Sequence, residues 1–385
     1  GAPTVVIYGH YDVQPPEPLE LWKSAPFEPE LRDGKLYGRG ASDDKAGVLS
    51  AVYAVEAAAA ATGAPPINVT FMVEGEEEVG SPNLVPFIRD NKELFAADLA
   101  ISADGGIFDV GVPSLTVGSR GLTGVEVSVK GANADLHSGM YGGAVANPIM
   151  ALSHILSSLQ DENGVVQVAG FYDGIPELTP AERQAIDSVP KVEGELESLG
   201  LQEWWGDPAY TPDERRVVRP TLEVNGMWGG YQGAGIKTVL PSEAFAKITC
   251  RLVRGQDPAD VANKLAAHLE AAAPAGVTVS VRQLPGNGRA YQMPLDLAVL
   301  ELAGEAMEAT FGLQPFPVWT GGTVPVVEQF VSELGIWCLY FAFGEPDNGL
   351  HAPNEFYRVK TLHQGVEATI RLFFGLAENP AALQS

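Results

Sequence analysis

Two adjacent carboxylates, Asp43 and Asp44, follow a glycine-rich turn and precede an alanine-rich run at residues 48–61. Adjacent carboxylates repel each other, and their burial is costly unless a cation compensates the charge. A bound metal ion would supply that compensation. Further potential ligands occur at four places where an apolar run ends: His10 with Asp12, residues 76–78, Asp104, and His351. We therefore interpret Asp43 as the carboxylate that bridges two metal ions in a hydrolase site.

The types of these side chains indicate which metal they would bind. Histidine, aspartate and glutamate ligands without cysteine suit Zn²⁺, and Mn²⁺ or Co²⁺ could occupy the same set. Five ligands are one more than a closed mononuclear zinc site uses. Two ions about 3.5–4 Å apart could share them and leave room for a bridging water. The residue types thus favour a dinuclear metal centre.

The candidate ligands follow segments that have the composition of buried parallel strands, at residues 4–8, 67–73, 99–103 and 336–343. Strand side chains alternate between two faces, so His10 and Asp12 project to the same side if the extended conformation continues. A carboxylate on that side can orient a metal-binding imidazole. Each motif by itself could equally be a solvated loop. The recurrence of strand, acid and glycine turn favours one site at the carboxyl edge of a sheet.

The pattern changes after Val117, and the change indicates a second type of sheet. Val125, Val127 and Val129 alternate with other residues, as in an antiparallel strand that has one face in solvent. Another alternating strand is expected at residues 245–253. Strands of this kind, mixed with helices, predict a separate domain of the α+β class.

We therefore predict an α/β fold with an inserted domain. A mostly parallel sheet with helices on both faces would form the catalytic domain, at residues 1–118 and 289–385. The inserted α+β domain would span residues 119–288. Within it, residues 160–235 look irregular, and we assign only a helix at residues 181–188.

Composition limits the partners and the location. The chain has 385 residues, 45% of them hydrophobic, and a formal net charge of −25. That charge would repel nucleic acids and anionic membrane surfaces, so we expect neither as a partner. No apolar run approaches the length of a transmembrane helix, and no signal peptide opens the chain. Cys250 and Cys338 occur singly, which argues against a disulfide framework and predicts a cytoplasmic location.

Other kinds of active site find no support in the sequence. The glycine-rich stretch at residues 226–235 lacks the Lys-Ser/Thr that follows the last glycine of a phosphate loop. No Gly-x-Ser-x-Gly occurs, and neither cysteine has a neighbouring base, so covalent catalysis has no candidate nucleophile. His154, His268 and His363 fall within predicted helices, and we interpret them as packed or solvated side chains.

The motifs that contain these residues resemble those of the dinuclear zinc metallopeptidases. That family includes aminoacylase, carboxypeptidase G, the acetylornithine and succinyl-diaminopimelate deacylases, and the carnosine and cytosolic nonspecific dipeptidases. The resemblance extends over nearly the whole chain. Its motifs are Gly-His-Tyr-Asp-Val at 9–13, Gly-Arg-Gly-Ala-Ser-Asp-Asp-Lys at 38–45, Glu-Gly-Glu-Glu-Glu-Val-Gly-Ser at 74–81, Ile-Ser-Ala-Asp at 101–104 and His-Ala-Pro-Asn-Glu at 351–355.

The resemblance implies a role for each metal ligand. Asp43 would bridge two Zn²⁺ ions. Glu78 and His351 would complete one metal site, and His10 and Asp104 would complete the other.

It also implies roles for three neighbours of the ligands. Glu77 matches the general base of the family, and Asp12 matches the residue that orients His10. A cis peptide bond is implied between Asp43 and Asp44.

The dipeptidase branch of the family is the most similar to this chain. Its lid motif Asp-Leu-His-Ser-Gly-x-Tyr-Gly-Gly occurs at residues 135–143, and its long lid insertion corresponds to residues 160–235. In that branch the lid histidine reaches the active site of the partner subunit. The resemblance therefore implies a homodimer in which His137 acts in trans, and a lid and dimerisation role for residues 119–288.

Further motif positions of the branch hold the substrate. They correspond here to Thr238, Arg251, Gly322 and Thr323. Arg251 would pair with the free C-terminal carboxylate of a peptide, for which a guanidinium fork is well shaped. The family normally has several tens of residues before the first ligand strand, and this chain has nine before His10. We therefore expect an N-terminal segment to be missing from the sequence.

The sequence as a whole predicts a homodimeric dinuclear metallopeptidase. It would cleave the amide bond of dipeptides or short peptides that have a free C-terminal carboxylate, with Glu77 activating the metal-bridging water. Two alternatives stay open. The same site could remove the acyl group of an N-acyl amino acid, or the chain could be a catalytically inactive, dimeric binding protein.

Overall fold

The computed structural model describes residues 2–383, which form sixteen β-strands and eleven α-helices. The strands are β1 Thr4–His10, β2 Glu30–Arg32, β3 Lys35–Tyr37, β4 Asn68–Glu74, β5 Leu99–Ser102, β6 Ser114–Ser119, β7 Gly121–Lys130, β8 Leu136–His137, β9 Thr221–Gly229, β10 Val239–Leu240, β11 Glu243–Leu252, β12 Thr278–Gln283, β13 Tyr291–Gln292, β14 Phe316–Thr320, β15 Cys338–Tyr340 and β16 Phe356–Arg358. The helices are α1 Ala46–Thr62, α2 Leu84–Asp90, α3 Ser138–Tyr141, α4 Pro148–Ser157, α5 Pro180–Ser188, α6 Glu195–Ser198, α7 Pro212–Val217, α8 Pro258–Ala271, α9 Ala298–Phe311, α10 Pro325–Gln329 and α11 Val359–Glu378. No helix in the described range is both long enough and apolar enough to cross a lipid bilayer.

A parallel sheet in the order β15-β5-β1-β4 lies at the centre of the first hydrophobic core. Both of its faces are covered, as β1 demonstrates. On one face, a Cβ atom added to Gly9 would collide with Val48 of α1. On the other face, the ring of Tyr8 packs edge-on against Phe330, with 5.9 Å between ring centroids. The predicted α/β class, with helices on both faces of a parallel sheet, is confirmed.

An antiparallel sheet in the order β12-β7-β11-β9 forms a second, separate core with α4 and α8. In β11, the side chains of Ile248, Cys250 and Leu252 are completely buried, whereas Lys247 on the opposite face is exposed. This alternation is the one predicted for residues 245–253. The predicted antiparallel α+β insertion is therefore confirmed.

The region from 160 to 235 is more regular than the sequence predicts. Besides α5, which lies where a helix was predicted, the region contains α6, α7 and the nine-residue strand β9. β9 pairs with β11, and its register shifts opposite Lys247 and Ile248. Glycines at positions 226 and 229 interrupt the alternation of β9, so the sequence pattern does not predict a strand there.

Arg120 connects a separate three-stranded sheet, in the order β13-β6-β14, to the antiparallel sheet. β6 ends one residue before Arg120, and β7 begins one residue after it. Ile186 of α5 is nevertheless buried in the first core, so the insertion packs against both cores. The division into residues 1–118 with 289–385 and residues 119–288 stays a prediction.

Candidate metal centre and active site

Loops that follow the parallel strands bring the predicted ligands to one edge of the sheet. β1 ends at His10, β4 leads into the turn that contains Glu78, and β5 leads to Asp104. The carboxyl ends of parallel strands lie at the same edge of a sheet, where α/β proteins build their sites. The loop that follows β15 carries His351.

Asp43 lies at the centre of this group. Its Oδ1 is 3.0 Å from Nε2 of His10, and its Oδ2 is 2.9 Å from Nε2 of His351. Asp104 joins the first histidine and Glu78 joins the second, so that the ligand atoms within each group of three lie within 4.8 Å of one another. The structure thus brings all five predicted ligands together as two groups that share one carboxylate.

The loop that carries Asp43 is anchored by Glu355, for which the sequence indicated no role. The Glu355 carboxylate is completely buried and accepts hydrogen bonds from the backbone N–H groups of Gly40, Ser42 and Asp43, at 2.9–3.1 Å. Nη1 of Arg39 donates to the same carboxylate at 2.6 Å. These hydrogen bonds compensate the desolvation of a buried ion pair and hold the backbone beside the shared carboxylate.

Asp44 ties this loop to the end of β1. Its Oδ2 accepts a hydrogen bond from the backbone N–H of His10 at 3.2 Å, and its side chain is almost completely buried. Burial, together with the charge of Asp104, raises the pKa of Asp44 well above its usual value. The peptide bond between Asp43 and Asp44 is cis, as the resemblance implied.

Asp12 connects His10 to the acidic turn. Its Oδ1 lies 3.3 Å from Nδ1 of His10, and its carboxylate accepts hydrogen bonds from the backbone N–H groups of Glu77 and Glu78, at 3.3 and 3.0 Å. Gln14, which the sequence did not single out, donates from Nε2 to Oε2 of Glu78 at 2.8 Å. Asp12 therefore contacts the candidate general base Glu77 and the candidate ligand Glu78, as well as His10, which it is predicted to orient.

The packing of carboxylates shifts the proton affinities in the site. Burial and the charge of Asp104 raise the pKa of Glu77 to about 7. Burial and the charge of Asp43 raise the pKa of Asp104 to about 6. Burial lowers the pKa of His10, but its hydrogen bond to Asp43 and the nearby carboxylates outweigh that effect and raise it to about 10. The site therefore has a large excess of negative charge.

This donor set fits divalent cations. In the described part of the chain, no lysine or arginine nitrogen lies within 4.0 Å of the carboxylates of Asp43, Glu78 or Asp104, and among the basic side chains only His10 and His351 come that close to any of them. Clustered carboxylates whose charge is only partly compensated are costly to bury. Each group offers one imidazole nitrogen and two carboxylates, a set that Zn²⁺, Mn²⁺ and Co²⁺ accept. A pair of such ions would compensate the charge.

Two of the predicted site residues, His137 and Thr238, belong to the insertion and lie at the strand pair β8 and β10. The His137 side chain is exposed, and its Nδ1 accepts a hydrogen bond from the backbone N–H of Gly139 at 3.0 Å. The carbonyl of Thr238 accepts a hydrogen bond from the N–H of Ser138 at 3.0 Å. Between residues 2 and 383, no hydrogen bond or ion pair joins either residue to the five ligands.

The remaining predicted substrate residues do lie together. Nη1 of Arg251 donates to Oγ1 of Thr323 at 2.7 Å. The backbone of Gly322 is fixed on both sides, because its N–H donates to Oγ1 of Thr320 at 3.1 Å and its carbonyl accepts from the N–H of Arg120 at 3.0 Å. Arg251 thus contacts the glycine loop directly, through Thr323.

Comparison with known proteins agrees with this geometry. The family profile described as peptidase family M20/M25/M40 matches residues 6–374. The chain is 31% identical over 377 residues to the Cys-Gly metallodipeptidase of Schizosaccharomyces pombe, an alignment that covers 94% of this chain and 78% of that protein. It is also 31% identical over 365 residues to the Beta-Ala-His dipeptidase of Rattus norvegicus, covering 92% and 73%.

A solved structure extends the likeness to the fold. The M20 family metallo-carboxypeptidase from Sulfolobus solfataricus superposes with a TM-score of 0.84 and 33% sequence identity, over 96% of this chain and 84% of that one. The family match covers both the ligand-bearing segments and the insertion between them. The chain belongs to peptidase family M20/M25/M40 and is a hydrolase of its metallodipeptidase branch.

Proposed function

We propose that this chain hydrolyses the amide bond of dipeptides or short peptides that have a free C-terminal carboxylate, at a dinuclear metal centre. The observation that carries the proposal is the geometry of Asp43, whose two oxygens each face one histidine and so divide five ligands into two groups. Relatives that align over nearly the whole chain are named as dipeptidases, which supports the substrate class.

In the proposed reaction, each of the site residues would have its own role. Bound cations supply Lewis acidity, which lowers the pKa of water and polarises a carbonyl. Glu77 accepts the proton of the attacking water and then donates it to the leaving amine, as a general base and acid. Asp12 holds both the backbone of Glu77 and the ring of His10. Arg251 binds the free carboxylate of the peptide, with Thr323 as its neighbour.

Zn²⁺ is the metal that we propose for both positions. Imidazole and carboxylate donors suit it, and Mn²⁺ or Co²⁺ could replace it in the same set. Cys250 and Cys338 are both buried and free, which agrees with the reducing, cytoplasmic location that we propose.

The first prediction concerns metal dependence and substrate class. Purified protein is expected to hydrolyse Ala-Ala, to lose that activity after treatment with a chelator, and to regain it when Zn²⁺, Mn²⁺ or Co²⁺ is added. Ala-Ala amide is the matched control, since it lacks the carboxylate that Arg251 would bind, and its cleavage should be far slower. Faster cleavage of N-acetyl-alanine than of Ala-Ala would contradict the dipeptidase assignment and support an N-acyl-amino-acid deacylase.

We further propose that the protein is a homodimer in which the exposed His137 of each subunit completes the active site of the other and stabilises the oxyanion. Mixed dimers test this. In a dimer of one Glu77→Gln subunit and one His137→Ala subunit, the His137→Ala subunit keeps its own Glu77 and receives His137 from its partner. One of the two sites is then intact, so the mixed dimer should show about half of the wild-type activity.

The two parent homodimers, each expected to be nearly inactive, are the controls for this experiment. Should His137 act within its own subunit, both sites of the mixed dimer would be defective. Activity no higher than that of the parents would therefore contradict action in trans. Sedimentation equilibrium of the wild type checks the dimer itself.

A further inference from the structure

Arginine side chains without a carboxylate partner are concentrated in one cavity. Of the fourteen arginines in the sequence, ten lie within 4.0 Å of a carboxylate oxygen in residues 2–383. The four others all line the same cavity of about 450 Å³: Arg120, Arg215, Arg219 and Arg251. In a chain with a net charge of −25, such a grouping of unpaired cations requires an explanation.

Two of these arginines are held in place by neutral groups. The guanidinium of Arg219 lies over the ring of Tyr210, 4.1 Å from its centroid, and 5.5 Å from the centroid of Tyr172. Nη1 of Arg215 donates to the backbone carbonyl of Asp207 at 3.2 Å. Stacking and a single carbonyl fix the direction of a guanidinium but do not neutralise it, so most of its N–H donors remain available.

The other two arginines repel each other. Burial and the charge of Arg251 lower the pKa of Arg120 to about 10. Arg120 is held there by its Nε, which donates to the carbonyl of Gly321 at 3.1 Å. An anion between the two guanidinium groups would remove this repulsion.

The acidic residues that line the cavity do not balance these charges. Asp207 and Glu223 contribute two carboxylates, against five arginines when Arg216 is included. Arg216 already pairs with Glu195 and Asp213 outside this set. The cavity as a whole is therefore positive and can accept more than one carboxylate.

The cavity shares Arg216 with a groove whose lining includes sequence neighbours of two candidate metal ligands. The groove of about 590 Å³ is lined by Gly105 and Leu350, which directly follow Asp104 and precede His351 in the sequence, and it extends to Gly321. Gly321 is the residue whose carbonyl Arg120 binds. The C-terminal end of a peptide bound in this groove near Gly321 would therefore lie next to Arg120.

We propose that this cavity binds a second anionic group of the substrate, the side-chain carboxylate of its C-terminal residue, beside the α-carboxylate that Arg251 holds. The proposal rests on the proposed dipeptidase function. A single α-carboxylate occupies one guanidinium fork and leaves Arg120, Arg215 and Arg219 without an anion. The enzyme therefore prefers peptides that end in glutamate or aspartate.

The test compares Ala-Glu with Ala-Gln, which has nearly the same shape but no side-chain charge. Charge-assisted hydrogen bonds in the cavity should make kcat/KM for Ala-Glu at least about 10-fold higher. Arg219→Gln and, separately, Arg215→Gln should bring this ratio close to one, whereas Arg219→Lys should retain part of it. Arg282→Gln is the control, since Arg282 is exposed and pairs with Glu126 away from the cavity; its ratio should match the wild type. Thermal unfolding midpoints verify that each variant folds.

The outcomes separate the two proposals. Equal kcat/KM for both dipeptides would overturn the anion pocket and leave the dipeptidase function intact. Binding of inorganic phosphate to the wild type but not to Arg219→Gln would not change that conclusion. If neither dipeptide is cleaved, the dipeptidase function fails, and calorimetric binding decides about the pocket. If the wild type binds Ala-Glu more tightly than Ala-Gln, and Arg219→Gln abolishes that difference, the anion pocket is supported. Equal affinities of the wild type for the two dipeptides would overturn the pocket.

Discussion

Replacement of Glu77 by Gln is expected to lower kcat by about 10²- to 10⁴-fold, the usual contribution of a general base. The amide keeps the size of the side chain but cannot accept and return a proton. Glu77 is not part of either ligand group, so both metal ions should stay bound. Steady-state kinetics on Ala-Ala, with metal content per subunit determined on the same preparation, measures both effects.

Glu76→Gln provides a matched control for this experiment. Glu76 belongs to the same acidic turn, but its carboxylate accepts hydrogen bonds from Nδ2 of Asn83, at 2.9 and 3.0 Å, and belongs to neither ligand group. Its substitution should leave kcat near the wild-type value. Turnover by Glu77→Gln at the level of Glu76→Gln would exclude Glu77 as the base.

Replacement of Asp43 by Asn should remove both ions at once. The two carboxylate oxygens face His10 and His351 separately, and an amide offers only one oxygen and places an NH₂ group on the other side. Loss of a hydrogen bond that only orients a metal-binding side chain typically lowers metal affinity by about 10- to 100-fold. Loss of a ligand shared by both ions should cost more, and hydrolysis should fall to background. Titration of chelator-treated protein with Zn²⁺ gives the number of ions bound and their affinities.

Asp104→Asn is the informative comparison, because Asp104 belongs only to the group that contains His10. This variant should lose affinity for one ion and keep the other. Two ions bound by Asp43→Asn with wild-type affinity would show that Asp43 is not shared. A loss of both ions in Asp104→Asn, equal to that in Asp43→Asn, would contradict the division into two groups.

The candidate ligands can be selected from the sequence because their signal is local. His10, Asp104 and the acidic turn each directly follow a buried strand, and parallel strands bring such positions to one edge. The residues that hold the ligands have no local signal. Glu355 contacts the loop of Asp43 across 312 positions of sequence, and Gln14 contacts Glu78 across 64. Tertiary contacts of this kind become visible only in the folded chain.

The same reason explains why the sequence does not predict two other features, β9 and the arginine cavity. β9 is stabilised by its pairing with β11, whereas its own glycines interrupt the alternation that would indicate a strand. The arginine cavity combines side chains from β11, from the end of α7 and from the connection between β6 and β7, which no local pattern associates. In contrast, α5 coincides with the helix predicted at residues 181–188, and it begins with a capping box formed by Thr179 and Glu182.

The contact between Glu355 and the loop of Asp43 has a consequence for protein synthesis. During translation, residues 39–43 leave the ribosome long before the buried carboxylate that orders them, and His351 emerges at nearly the same time as that carboxylate. The nascent chain therefore cannot complete its second ligand group until its C-terminal segment has been made. Binding of an ion by this second group would be a late event in maturation, and its binding energy would stabilise only chains whose two distant segments have joined.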